Sequence, residues 1–240
     1  MVSREQAPAV LRELAGHLES LLSRPGYSYA VDEVLAYTAE LCETGRIADA
    51  VEAVSRNPEA LSRCAARSFA HPLGFRKFVL LSGRRFELRL HVWLPGATVV
   101  GEHVHNHRFA FASYLLCGQL TSNLYELAAD GVLAAGYRES RSEDSKKYLF
   151  HSTGLVRALR RETAELSTGM CYFMHPEALH QISPATHAPA ASLVVKIPTS
   201  RTTTTVLMPL LEKPPRFAAR EALTPDAAGS MLRDALALIG

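Results

Sequence analysis

The sequence has no run of some 20 apolar residues. Its opening segment, MVSREQAPAVLRELAGHLESLL, carries early acidic residues and helical spacing where a secretory leader has a basic start and an apolar stretch. A membrane-spanning helix and a signal peptide are therefore not expected, and the expectation is a cytoplasmic protein. The four cysteines, Cys42, Cys64, Cys117 and Cys171, lie far apart with no CxxC pair, as in a chain kept reduced. No charge of one sign dominates. Lys and Arg are scattered and the formal net charge is +2, so no basic stripe exists to receive nucleic acid. Also missing are a Gly-rich phosphate loop, a GxSxG elbow and a recognisable pair of catalytic carboxylates.

What is present suits one sizeable globular domain with appended elements: 240 residues, 48% of them hydrophobic and 21% charged. The first 70 residues read as a helical extension. Val10, Leu11, Leu14, Leu18, Leu21 and Leu22 form one helical stripe, and Val31, Val34, Leu35, Thr38 and Leu41 a second. Pro25-Gly26 and Gly45 act as breaks, and Asn57-Pro58 starts a short helix. From His71-Pro72 the character changes. RKFVLL, RRFELRLHVWLP, SYLLCGQLTSNLYEL, KYLFHS, GLVRAL, GMCYFMHP and ASLVVKIP read as successive short strands without intervening helices, which predicts an antiparallel barrel or sandwich over residues 71–210. In the tail, 211–240, Thr224 as N-cap and Pro225 in the first turn begin a last helix with Met231, Leu232, Ala235, Leu236 and Ile239 on its apolar side.

The chemical signal is GEHVHNHRFAFASYLLCG at 101–118, with His103, His105 and His107 at alternate positions. In a strand those side chains project from one face. Three imidazoles there point to a metal, since neutral imidazole is the commonest protein ligand, and His180 in PEALH is a fourth candidate.

These residues resemble the first motif of the cupins, whose form is G(X)5HXH(X)3-4E(X)6G. His105-Asn106-His107 supplies HXH, Phe111 stands where most cupins have glutamate, and Gly118 closes the motif. Loss of that glutamate is similar to the thiol dioxygenases, such as cysteine dioxygenase, which bind Fe(II) with three histidines. GRRFELRLHVW at 83–93, CYFMHPEALHQI and SLVVKIP at 192–198 resemble further segments of that family. The resemblance implies a mainly β cupin double-stranded β-helix, or jelly roll, with a helical layer before it, and makes His180 the third ligand beside His105 and His107.

The chain departs from that family where Cys-Tyr crosslinked members carry their cofactor. Phe111 and Lys196 occupy those positions, so the crosslink cannot form, and Val194 stands where the family has a histidine. Counting back ten positions from Phe86 places the family's carboxylate-gripping arginine at Arg76, with Lys77 beside it; a solvated pair at a strand start is the other reading. In residues 86–93, Phe86, Leu88, Leu90 and Val92 share one face and Glu87, Arg89, His91 and Trp93 the other. Composition favours the apolar face as the barrel filling. The resemblance instead turns Trp93 inward and makes Arg89 and His91 substrate contacts. His103 is either a residue that steadies the ligands or part of the rim. Lys196 is a candidate catalytic group, or a carboxylate contact, or a lysine whose ammonium reaches water.

Three histidines with open positions for substrate and O2 imply a non-haem Fe(II) oxygenase acting on a small polar molecule, foremost a thiol or amino-thiol such as cysteine. A +2 site with neutral ligands draws a thiolate. Sulfur oxidation within a natural-product pathway extends the same resemblance. The alternatives are a Zn, Ni or Mn isomerase, lyase or hydrolase, and a non-catalytic cupin that binds a small ligand. A hydrolase needs a base, and Glu102 falls on the face opposite the histidines by parity, leaving Glu177. Cys117 and Ser113 share the histidines' parity and are expected inside. Pairing of barrel edges makes a homodimer an expectation of the fold.

Overall fold

The structure, a computed structural model, describes residues 7–23, 31–70, 74–95, 103–142, 147–185, 188–214 and 222–240. The Pro25-Gly26 break, His71-Pro72 and the Gly101-Glu102 start of the histidine motif lie outside the described residues.

Among the described residues four helices come first: α1 (Ala9–Leu21), α2 (Val31–Glu43), α3 (Arg46–Arg56) and α4 (Pro58–Ala65). Their buried positions follow the expected stripes, with Leu11, Leu14, Leu18 and Leu21 inside α1, and Val34, Thr38 and Leu41 inside α2. Asn57 caps α4 by accepting from the Ala60 amide at 2.9 Å. The strands of the described residues follow: β1 (Phe69–Ala70), β2 (Phe75–Ser82), β3 (Glu87–Trp93), β4 (Val104–His105), β5 (Phe109–Cys117), β6 (Gln119–Arg141), β7 (Tyr148–Ser167), β8 (Cys171–Met174), β9 (Leu179–Pro184), β10 (Ala190–Pro198) and β11 (Thr204–Met208). The last helix, α5 (Pro225–Ile239), is capped by the Thr224 hydroxyl, which accepts from the Ala227 amide at 3.2 Å. No helix among the described residues is long and apolar enough to cross a membrane.

The strands make two antiparallel sheets, ordered β1-β2-β3-β10-β5-β8 and β11-β4-β9-β6-β7. Take β3 to β10 as strands one to eight. The sheets then read 1-8-3-6 and 2-7-4-5, the order in which a long hairpin wraps around itself. This is the jelly roll of the cupin double-stranded β-helix. β1 and β2 extend one sheet, and β11 pairs with both β4 and β6 in the other.

The expected strands KYLFHS and GLVRAL are one strand, β7, which runs alongside β6. Gly154 opens the second of these segments. Its φ of 94° instead lets the backbone pass an irregularity in the β6–β7 register, with no turn.

The main core lies between the first sheet and the helices. Phe78, Leu80, Leu88, Leu90, Val92, Leu193 and Val195 pack there with α1 to α5. The apolar face of β3 therefore covers the outside of the barrel, contrary to the expectation from composition, because the helical layer supplies a larger apolar partner than the barrel's interior. Glu87, Arg89, His91 and Trp93 are left to line the inside. Register fixes their neighbours: Lys196 opposes both Glu87 and Phe111, and Val194 opposes both Arg89 and Ser113.

Candidate metal centre

The two histidine motifs meet at β4. His105 is the register partner of His180 on β9 and of Val206 on β11. His107 lies just past the strand, where its amide donates to the Pro176 carbonyl at 3.1 Å, joining it to the turn that leads into β9. Between them, Asn106 turns the other way, as parity predicts. Its Oδ1 accepts from the Thr205 amide at 2.7 Å while its own amide donates to the Thr205 carbonyl at 3.1 Å.

The three imidazoles form a nearly regular triangle. Ring centroids are 4.7 Å apart for His105 and His107, 4.8 Å for His105 and His180, and 4.9 Å for His107 and His180. One nitrogen from each lies within 4.8 Å of the others. His105 donates its Nδ1 proton to the His103 carbonyl and His180 its Nδ1 proton to the Ala178 carbonyl, both at 2.9 Å. Those bonds put the lone pair on Nε2, the form of imidazole that binds a metal.

Burial pushes His107 well below the usual histidine range, with His105, His180 and Arg89 adding to the shift. Burial and His105 bring His180 down to about 3 against the opposing Ala178 carbonyl. Three imidazoles so grouped, two of them with Nδ1 tied to a carbonyl, fit a divalent transition metal. Among the described residues no carboxylate or cysteine joins the group.

Apolar and aromatic side chains wall the triad. Phe111, in the place of the usual glutamate, is buried with its ring 5.3 Å from His107 and 6.2 Å from His180, packed with Met174 and Val194. Phe109 stacks on His107 at 4.6 Å. Beyond it lie two cations, Arg89 at 5.0 Å and Lys196 at 4.9 Å from the Phe109 centroid. Glu87 binds both: Arg89 Nε donates to Oε2 at 2.8 Å, and Lys196 Nζ lies 3.3 Å from Oε1. Arg67 donates to the same carboxylate at 2.9 Å. Burial opposes Glu87 ionisation, but the charges of Arg89, Lys196 and Arg67 outweigh it and hold the carboxyl at about 2. Burial, with Arg89 beside it, brings Lys196 down to about 8.

Not every expected residue comes to this site. Arg76 opposes Val92, whose side chain lies in the core on the helix side, so Arg76 belongs to the outer face of the sheet. The position ten residues before Phe86 misses the inner face of β2 by one residue. Lys77 takes the inner place, opposite His91, with its ammonium 4.6 Å from the Phe69 ring. His91 packs with aromatic rings, 4.8 Å from Phe75 and 6.1 Å from Trp93.

His103 reaches His105 through its carbonyl, while its ring nitrogen Nε2 lies 2.6 Å from Glu212 Oε1. Glu177 is exposed and pairs with Arg201 at 3.2 Å. Cys117 packs with the helix-side core and not inside, because β5 carries one extra residue, Leu116, between the partners of Ser192 and Ala191, and this reverses the alternation. Phe109, Glu87 and Glu212 were not singled out from the sequence. The first two had a signal, since Phe109 shares the parity of His107 and Phe111, and Glu87 that of Arg89. Glu212 had none.

No family model and no curated protein matches the chain. Among solved structures it is similar to an RmlC-like cupin from Shewanella frigidimarina, at 15% identity over 55% of this chain and 84% of that one, TM-score 0.34. It is similar to hydroquinone 1,2-dioxygenase from Sphingomonas sp. TTNP3, at 12% identity over 52% of this chain and 66% of that one, TM-score 0.31. A DMSP lyase structure matches at 15% identity and TM-score 0.30 over 51% of this chain, which spans 47% of that chain's length.

Proposed function

We propose that the chain is a mononuclear Fe(II) oxygenase that uses O2 on a small polar substrate, foremost a thiol or amino-thiol. The observation that carries this reading is the triangle of imidazoles from His105, His107 and His180, with Phe111 where a carboxylate ligand would stand. Three neutral ligands leave a divalent ion its full charge and open positions, a setting that favours a thiolate. When bound, Fe(II) supplies the redox chemistry by which dioxygen reacts with sulfur. The protein's part is to hold and enclose. The His103 and Ala178 carbonyls keep the ligand rings in one tautomer, and Phe109, Phe111 and Met174 keep water from the reacting face. Hydrolysis has less support: among the described residues near the triad no carboxylate is placed as a base, Glu177 being exposed and paired.

The test is anaerobic loading with Fe(II) followed by oxygen uptake with a panel of thiols. Thiol-dependent uptake that is lost in His105→Ala and His180→Ala is the expected result. Tightly held zinc with no uptake under any loading overturns the reading in favour of a lyase, isomerase or hydrolase.

A further inference from the structure

Two of the three ligand rings are tied to the backbone, and the third is not. His105 and His180 each donate an Nδ1 proton to a carbonyl at 2.9 Å. The His107 imidazole makes no hydrogen bond among the described residues. Its amide is anchored to the Pro176 carbonyl at 3.1 Å, but that bond fixes the backbone and does not set the plane of the ring. A ligating imidazole needs its plane set, because the metal must lie along a nitrogen lone pair, and a hydrogen bond from the other ring nitrogen is the usual means.

What His107 has in place of that bond is an aromatic clamp. Positions 107, 109 and 111 alternate along the chain into β5, so the three rings rise from one face. The rings of His107 and Phe109 are stacked, with centroids 4.6 Å apart and planes 20° from parallel. Phe111 meets His107 from the side, at 5.3 Å and 73°. Both are favourable ring geometries, and a parallel neighbour with a perpendicular one limits the rotation of the imidazole. Phe109 is restrained in its turn. Arg89 and Lys196 lie over its ring, 5.0 Å and 4.9 Å from the centroid, and Glu87 holds both cations, accepting from Arg89 Nε at 2.8 Å and lying 3.3 Å from Lys196 Nζ.

We propose that Phe109 is a positioning residue of the metal site. Its ring sets the plane of the His107 imidazole, the part that the His103 and Ala178 carbonyls play for the other two ligands. This rests on the reading that the triad holds a divalent metal, and it is independent of the reaction that the metal serves. It also gives the buried Glu87–Arg89–Lys196 cluster a part in the site, since the cations bear on the ring that bears on the ligand.

The test measures Co(II) binding by the full chain, because the visible absorption of Co(II) reports the number and arrangement of its ligands. Phe109→Tyr, which keeps the stacking ring, binds Co(II) within about twofold of the wild type, whereas Phe109→Leu, which keeps an apolar wall without the ring, binds about tenfold more weakly and with a changed spectrum. Proton NMR of the metal-free wild type finds the His107 ring protons upfield, in the shielding zone of the Phe109 ring. Should Phe109→Leu not fold, Phe109→Ile carries the comparison. A Phe109→Leu protein with wild-type affinity and spectrum, a Phe109→Tyr protein as weak as Phe109→Leu, or His107 ring protons at ordinary shifts overturns the positioning role. Wild-type binding of Co(II) with an indifferent Phe109→Leu overturns that role alone. A wild type that binds none of Co(II), Zn(II) and Fe(II) overturns the metal reading and this inference with it.

Discussion

His105 and His180 are register partners across the β4–β9 ladder, and each donates its Nδ1 proton to the carbonyl two residues before it. The local chain therefore sets both ring orientation and tautomer before any ion arrives. His103 takes part through its backbone, and its own ring is tied to Glu212, a residue of the segment that follows β11.

Replacing His105, His107 or His180 by alanine lowers affinity for Fe(II) or Zn(II) by at least about a hundredfold, and abolishes the metal-dependent rise in Tm. Glu212→Ala acts more weakly, about three- to tenfold on metal affinity, because it releases only the residue whose carbonyl steadies His105. Metal titration with a competing chelator reads both effects. A Glu212→Ala protein that binds metal like the wild type shows that the His103 ring contact has no bearing on the ligand.

Asn106 joins the ligand segment to β11 through a side-chain oxygen that accepts the Thr205 amide. Asn106→Ala leaves that half-buried amide without its side-chain partner and costs about 1 kcal/mol of stability. Since His105 and His107 flank it, metal affinity falls with stability. Chemical denaturation of the metal-free protein and metal titration of the same variant test the pair of effects; a variant that loses stability yet binds metal normally separates Asn106 from the ligand geometry.

The grouping of His105, His107 and His180 was legible in the sequence because motif spacing and strand alternation both act locally. His105 and His107 differ by one strand repeat, and His180 follows a short strand and turn. Which face of β3 turns inward was not legible from hydrophobicity, because both faces are buried and the deciding partner is the helical layer. Parity also fails at bulges, as at Cys117, where one extra residue reverses the alternation. The Glu212 contact joins residues 109 positions apart, beyond any local pattern.

Gly118, the glycine that closes the histidine motif, has φ +83°, and a Cβ there would lie 2.4 Å from the Pro189 carbonyl oxygen. Backbone conformation and space both forbid a side chain. Gly118→Ala is expected to lose about 2 kcal/mol or more, with the β5–β6 turn displaced from the start of β10. Thermal or urea unfolding tests this directly. A loss below about 0.5 kcal/mol means that the turn relaxes freely.

Lys196 gives a pH dependence of defined sign. Its folded pKa, brought to about 8 mainly by burial, lies below the unfolded lysine value of 10.5. Between those values the unfolded chain holds the proton more firmly, so this group makes the protein less stable as pH falls from 10.5 toward 8, and the full cost persists at neutral pH. Glu87 recovers part of that cost, since its own carboxyl is held down by the same pair, but the net shift of the lysine shows that the recovery is incomplete. Lys196→Met is therefore expected to raise stability at pH 7 by about 1–2 kcal/mol. Arg89 and Arg67 continue to satisfy Glu87 in that variant. The advantage over the wild type shrinks as pH rises from 8 to 10.5, where the native lysine sheds its proton. Urea denaturation of both proteins across that range measures the difference. A Lys196→Met protein less stable than the wild type at pH 7 means that the ion pair with Glu87 outweighs the cost of burial.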